Sequence, residues 1–127
     1  MRELKNGGSI SKKVKKLGYK IKIDTNGSFP EKLKELIDEK LVDYIAMDLK
    51  APKKKYTALT NVKTDIKKIE KSIEIIKKSK LDYEFRTTFV PSLLKKEDIV
   101  EIAKWLKGVK KFYLQQFKMD ASLISPK

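Results

Sequence analysis

The fold of this chain follows from the stretch Tyr19–Glu31, which reads YKIKIDTNGSFPE. Its first five residues alternate polar and apolar side chains, a period that is typical of a β-strand. The segment from Ser28 to Glu31 has the spacing of a helix capping box, with a proline where a helix often begins. Apolar residues then recur at helical intervals, at Leu33, Leu36, Ile37 and Leu41. The stretch therefore predicts a strand that passes directly into a helix.

The same strand-to-helix unit recurs along the rest of the chain. Further strands are predicted at Val42–Met47, Tyr83–Val90 and Phe112–Phe117. One helix is predicted to carry Ile66, Ile69, Ile73 and Ile76, with Thr64 as its N-cap. Another is predicted to bring together Ile99, Ile102, Ala103 and Leu106 and to end at Gly108. A short helix with Ile10, Val14 and Leu17 precedes them and ends at Gly18. Alternating strands and helices predict an α/β fold whose parallel strands are joined by right-handed crossovers.

The length of 127 residues and the lack of an internal linker predict a single domain. Within it we expect a start and N-terminal helix at 1–17, a βα core at 18–117 and a tail at 118–127. The sequence contains no apolar run of membrane-spanning length and no secretory signal. We therefore expect a cytoplasmic protein with no membrane partner.

Two features of the composition restrict the chemistry. The chain has no cysteine and no histidine, which excludes disulfides, thiolate-held iron–sulfur clusters, zinc fingers and His-based acid–base catalysis within these residues. Its net charge of +14 raises the possibility of nucleic-acid binding. However, Arg2 and Arg86 are its only arginines, and the lysines alternate with glutamates on predicted helices. A solvated, thermophile-like surface is favoured. A non-catalytic basic α/β module that binds nucleic acid or another polyanion remains the alternative.

Each predicted strand ends in polar residues, at the side of a parallel sheet where such folds bind ligands. These candidate site residues are Asp24, Thr25 and Asn26 after the first strand, Asp48 and Lys50 after the second, Arg86 and Thr88 on the third, and Gln115 and Gln116 on the fourth. Each also has a purely structural explanation. The first group suits a turn, Asp48 and Lys50 suit an ion pair, and Arg86 suits a buried salt bridge to Asp48 or Asp24.

Four segments, in this order, resemble the radical S-adenosylmethionine (radical SAM) enzymes, and specifically their glycyl-radical-activating group: Lys20–Ser28, Val42–Pro52, Tyr83–Pro91 and Tyr113–Phe117. They are most similar to archaeal activating proteins of anaerobic ribonucleoside-triphosphate reductase. The resemblance implies a partial TIM barrel, of which this chain supplies about four of six βα units. It further implies that S-adenosylmethionine binds beside a 4Fe–4S cluster and that cleavage of S-adenosylmethionine yields a 5′-deoxyadenosyl radical. That radical would take a hydrogen atom from a glycine of a partner such as anaerobic ribonucleotide reductase.

The resemblance also implies roles for individual residues. Asp24 and Asp48 correspond to a monovalent-cation site and, with Thr25 and Asn26, to cofactor contacts. Lys50 and Arg86 would bind or neutralise the carboxylate of the cofactor and lie in the surroundings of its ribose. Thr88 and a glutamine of the last strand, for which we select Gln116, would line the same pocket.

The chain departs from this family where the cluster is bound. The family's Cys-x-x-x-Cys-x-x-Cys loop is absent. Gly7-Gly8 matches only the first two residues of the family's Gly-Gly-Glu-Pro motif. We therefore expect a truncated, carboxyl-terminal part of the barrel that does not cleave the cofactor alone, or a relic without a function of its own. A shortened barrel exposes a sheet edge at Lys20–Asp24, which favours self-association or pairing with a complementing fragment.

Overall fold

Strands and helices alternate throughout the structure, a computed structural model that describes residues 10–56 and 66–116. Residues 10–16 form helix α1. The elements that follow are β1 (Lys22–Thr25), α2 (Pro30–Asp38), β2 (Tyr44–Asp48), a 3-10 turn (Lys53–Lys55), α3 (Ile66–Lys78), β3 (Asp82–Phe89), α4 (Lys96–Trp105) and β4 (Phe112–Gln116). The predicted order of strands and helices is confirmed.

All four strands are parallel and form one sheet in the order β1-β2-β3-β4. Within the described residues β1 and β4 are therefore the two edges, as predicted for the first strand. The α/β class and the sequential parallel order are those of a partial radical-SAM-type barrel. In the same part of the chain, no helix has the length and apolar character needed to cross a membrane.

One face of the sheet carries the hydrophobic core. On β3, Tyr83, Phe85 and Thr87 are buried, whereas Glu84 and Arg86 between them are partly exposed. Tyr83 and Phe85 pack with apolar side chains of the helices: Leu33, Ile69, Ile73, Ile76, Ile102 and Leu106. Burying an aliphatic side chain of this size contributes about 1.5–3 kcal/mol, so this face holds the fold together. The opposite face is left to polar side chains.

The predicted capping box at Ser28–Glu31 is wrong. Helix α2 has Phe29 as its N-cap, with no side-chain hydrogen bond there, and begins at Pro30. The Ser28 N–H instead donates to Asn26 Oδ1 at 2.9 Å, so Ser28 is part of the turn that precedes the helix.

Strand β1 begins at Lys22, three residues later than the alternation predicts. The Asp43 carboxylate explains this difference, because it accepts a hydrogen bond from the Ile21 N–H at 2.7 Å. It also binds Lys15 of α1 at 2.7 Å. These two contacts lower the pKa of Asp43, the Lys15 contact more strongly. Asp43 thus anchors α1 and the approach to the sheet in a conformation that is not a strand.

The last predicted helix is confirmed with one correction. Ile102 and Leu106 are buried and Gly108 has a left-handed φ of +96°, but Ala103 is exposed rather than part of the apolar stripe. Several predictions concern positions outside the described residues: the N-cap Thr64, the partial match of Gly7-Gly8 to the Gly-Gly-Glu-Pro motif, Phe117 and the tail at 118–127.

Candidate functional site

The carboxyl ends of the strands meet in an open cleft of about 530 Å³ on the polar face of the sheet. Its lining residues are Asp24, Thr25, Asn26, Asp48, Lys50, Arg86, Thr88 and Gln115. Seven of the eight residues predicted for the site are in this set. The register explains the convergence, because Asp48 is paired with Arg86 and Thr88 with Gln115. The cleft volume is within the range of small-molecule sites.

The glutamine that lines the cleft is Gln115, so the placement of Gln116 there is corrected. Gln115 lies beside Thr88, with 3.5 Å between Thr88 Oγ1 and Gln115 Oε1. Gln116 pairs in register with Phe89, a residue that packs against the core. Since successive strand side chains point to opposite faces, Gln116 lies on the other side of the sheet.

Arg86 extends across the sheet toward the first strand. Its Nη2 atom is 3.3 Å from Asp24 Oδ1, although β2 lies between the two strands. Ala46 occupies the register position beside Asp24, and its short side chain leaves room for this crossing. Of the two salt bridges that the sequence left open for Arg86, the structure forms the one to Asp24. The Asp24 side chain is 64% exposed, so this ion pair is accessible to a ligand.

Asp48 and Lys50 form the ion pair that the sequence suggested. The backbone N–H of Lys50 also donates to the Tyr56 hydroxyl at 3.2 Å. Tyr56 is buried and packs edge-on against Trp105, with 6.3 Å between ring centroids. Burial raises the pKa of Tyr56, so the ring remains neutral. Tyr56 therefore fixes the backbone that presents Lys50.

Thr25 and Asn26 shape the turn after β1. Thr25 Oγ1 accepts a hydrogen bond from the Gly27 N–H at 3.0 Å, and Asn26 Oδ1 accepts from the Ser28 N–H at 2.9 Å. The turn explanation is thus confirmed for both. Their remaining donors, a hydroxyl hydrogen and an amide NH₂ group, are the groups that a ligand in the cleft could use.

Sequence reasoning missed two residues below the cleft. Tyr44 donates its hydroxyl hydrogen to Glu84 Oε1 at 2.7 Å, and Glu84 Oε2 is 3.9 Å from Arg86 Nη1. The available signal was the period of two on the third strand, which puts Glu84 on the same face as Arg86.

The residues of this chain do not fit an iron–sulfur cluster. The 127 residues include neither cysteine nor histidine. Among residues 10–56 and 66–116, no group of three acidic, His or Cys side chains is arranged to hold a metal ion. Asp24 and Asp48, the predicted cation ligands, contact Arg86 and Lys50 respectively.

Comparison with known proteins yields two matches. The profile of the Radical SAM superfamily matches residues 3–107. A protein of Methanocaldococcus jannaschii named "Putative glycyl-radical enzyme activating enzyme" is 43% identical over an alignment of 113 residues, and the alignment covers 86% of this chain and 47% of that protein. The chain thus spans about half the length of the curated relative that it matches. No solved structure matches it.

Proposed function

The chain belongs to the radical SAM superfamily, and from that premise we propose that it is the carboxyl-terminal part of a glycyl-radical-enzyme activating enzyme. Its four βα units would form one side of the barrel and bind S-adenosylmethionine in the cleft at the strand ends. The proposed partner is a glycyl-radical enzyme such as anaerobic ribonucleotide reductase. The name of the Methanocaldococcus jannaschii relative supports the general class of partner.

The observation that carries this proposal is the mixture of charges in the cleft. S-adenosylmethionine has a carboxylate, an ammonium group and two ribose hydroxyls on one small molecule. Arg86 and Lys50 supply cationic donors suited to the carboxylate. Asp24 and Asp48 supply acceptors suited to the ammonium group and the ribose, or to a monovalent cation beside them. When bound, the cofactor supplies radical chemistry; these side chains would bind and orient it.

The ion pairs already present in the cleft indicate how a ligand would enter. Asp24 is paired with Arg86, and Asp48 with Lys50, so each charge has a counterion before binding. The amino-acid end of S-adenosylmethionine can replace both partners of one pair, its carboxylate taking Arg86 and its ammonium group taking Asp24. Such an exchange leaves both side chains with a counterion and avoids the cost of an unpaired side-chain charge.

Cleavage of the cofactor requires a cluster that these 127 residues cannot ligate, because none of them is a cysteine. We therefore propose that thiolate ligands come from polypeptide outside this sequence. Cofactor binding and cofactor cleavage are then separable properties, and only the first belongs to the residues described above.

Isothermal titration of the chain with S-adenosylmethionine tests the proposal. We expect binding that Asp48→Ala and Arg86→Gln weaken and that Glu35→Gln, an exposed glutamate on α2, leaves unchanged. Micromolar binding that is indifferent to Asp48→Ala would contradict this site assignment. No binding by the wild-type chain would contradict cofactor binding by these residues alone.

The polyanion-binding alternative predicts a different result. A single-stranded oligonucleotide would then bind with a steep salt dependence and no sensitivity to Asp48 or Arg86. Many of the lysines that would carry such binding are already paired within the chain. Examples are Lys53 with Glu70 at 2.7 Å and Lys55 with Asp98 at 2.8 Å. These pairs favour the cofactor site over the polyanion module.

A further inference from the structure

A row of polar side chains continues from the cleft down the open face of the sheet. The Tyr44 hydroxyl donates to Glu84 Oε1 at 2.7 Å, and Glu84 Oε2 lies 3.9 Å from Arg86 Nη1. At its other nitrogen, Arg86 contacts Asp24 at 3.3 Å. The four residues span three strands and connect the middle of the sheet with the rim of the cleft.

Arg86 therefore has two carboxylate partners, and they differ in their exposure to water. The Glu84 side chain is 16% exposed, and that of Asp24 is 64% exposed. A charge pair shielded from water is screened less by solvent and salt than one at the surface. Glu84 is thus the counterion that Arg86 keeps when a ligand binds, and Asp24 is the partner that the ligand can displace.

The conformation of Glu84 is fixed from below by Tyr44. Two ammonium groups lie over the Tyr44 ring, Lys22 Nζ and Lys111 Nζ, each 5.5 Å from its centroid. Its hydroxyl binds one oxygen of Glu84 and leaves the other facing Arg86. The hydrogen bond to Glu84, together with burial, raises the pKa of Tyr44 to about 12. The hydroxyl consequently remains a donor at any physiological pH.

We propose that Glu84, held in place by the Tyr44 hydroxyl, is a positioning residue that keeps the Arg86 guanidinium directed at the carboxylate of S-adenosylmethionine. This inference rests on the proposed function of the cleft. Neither Glu84 nor Tyr44 lines the cleft, so both would act through Arg86. The positioning contact remains when the ligand displaces Asp24.

The first test needs no ligand. Arg2 and Arg86 are the only arginines, so guanidinium NMR spectra of ¹⁵N-arginine-labelled chain contain two sets of signals, which Arg86→Lys assigns. Rotation of the Arg86 guanidinium is expected to be restricted in the wild type and faster in Glu84→Gln and Tyr44→Phe. Glu35→Gln serves as the matched control. Thermal melting by circular dichroism verifies that each variant is folded. If Arg86 rotates equally fast in the wild type and in folded Tyr44→Phe, the positioning role is refuted.

The second test separates this inference from the proposed function. We expect Glu84→Gln and Tyr44→Phe to weaken binding of S-adenosylmethionine by roughly tenfold, which corresponds to about 1.4 kcal/mol. Binding of 5′-methylthioadenosine, which lacks the carboxylate, should change much less. Equal weakening for both ligands would indicate general damage to the cleft and overturn the inference. Wild-type binding that neither substitution alters would overturn the inference alone. Absence of wild-type binding would contradict cofactor binding by these residues alone, and the NMR result then decides whether Glu84 orients Arg86.

Discussion

Substituting Gly27 with alanine should destabilise the chain at the turn that presents Asp24 to the cleft. Gly27 has a φ of +81°, in the left-handed region, and an added Cβ would stand 2.3 Å from Met47 Cε. The Gly27 carbonyl also accepts a buried hydrogen bond from Ser72 Oγ at 2.8 Å, so the turn cannot move away without losing that contact. We expect alanine here to oppose both the backbone conformation and the packing.

The magnitude follows from these two costs. A left-handed conformation costs an alanine about 1–2 kcal/mol relative to glycine. Met47 is fully buried, so its end cannot turn into solvent, and repacking around an added methyl group costs about 1–3 kcal/mol. The free energy of unfolding should therefore fall by about 2–5 kcal/mol in Gly27→Ala. Gly18 provides a matched control, because its φ is +90° and an added Cβ would meet nothing within 4 Å. Gly18→Ala should lose about 1–2 kcal/mol.

Urea unfolding followed by circular dichroism gives the required free energies. The packing cost can be isolated by repeating Gly27→Ala in a Met47→Val background, which lacks the sulfur and terminal methyl. There the cost of the alanine should fall to that of Gly18→Ala. Equal losses for Gly27→Ala and Gly18→Ala in the wild-type background would refute the reasoning, since the contact with Met47 would then carry no energy.

Four further outcomes are expected. Thr87→Val should raise the free energy of unfolding by about 1 kcal/mol, because Thr87 Oγ1 is buried without a hydrogen-bond partner among the described residues; Thr88→Val, on the open face, should give no such gain in urea unfolding. The ion pair with Lys55 and a backbone N–H lower the pKa of the Asp98 carboxyl below its ordinary 3.8. The ionised Asp98 carboxylate therefore gives its full stabilisation above pH 3.8, and this stabilisation is lost as the pH falls through the pKa of Asp98 in the folded chain. Thermal melting across this range should show a smaller acid-dependent loss of stability in Asp98→Asn, and a profile identical to that of the wild type would contradict the assignment. Light scattering should detect self-association through the β1 edge, and a clean monomer would count against it. Incubation with iron, sulfide, dithionite and S-adenosylmethionine should yield no 5′-deoxyadenosine above blank, whereas measurable product would show that the chain alone is sufficient for cleavage.

The elements were predictable from periodicity, whereas their starting points were not. The buried residues Ile69, Ile73 and Ile76 recur at helical spacing, and the structure places them together in the core. The start of β1 depends instead on the Asp43 carboxylate, which binds Ile21 from 22 residues away. A hydrogen bond between distant residues leaves no mark in the local pattern, so alternation alone placed the strand too early.

The members of the cleft were predictable because parallel strands bring their carboxyl ends to one edge of the sheet. The choice between Gln115 and Gln116 was not, because adjacent strand residues face opposite sides and a one-residue difference in register exchanges them. The partner of Arg86 was equally undetermined, since Asp24 and Asp48 both end strands. In the structure Asp48 is paired with Lys50, and the small side chain of Ala46 leaves room for the guanidinium to cross β2 to Asp24.

The alternation on β3 also distinguishes between two kinds of parallel sheet. Parallel strands covered by helices on both faces are apolar at nearly every position. On β3, Tyr83 and Phe85 are buried among apolar side chains, while Glu84 and Arg86 form ion pairs on the other face. A parallel strand that is polar on one face is expected where helices cover only the other face of the sheet. A face that carries charges of both signs is costly to cover with apolar side chains, and it suits a ligand that itself carries both negative and positive groups.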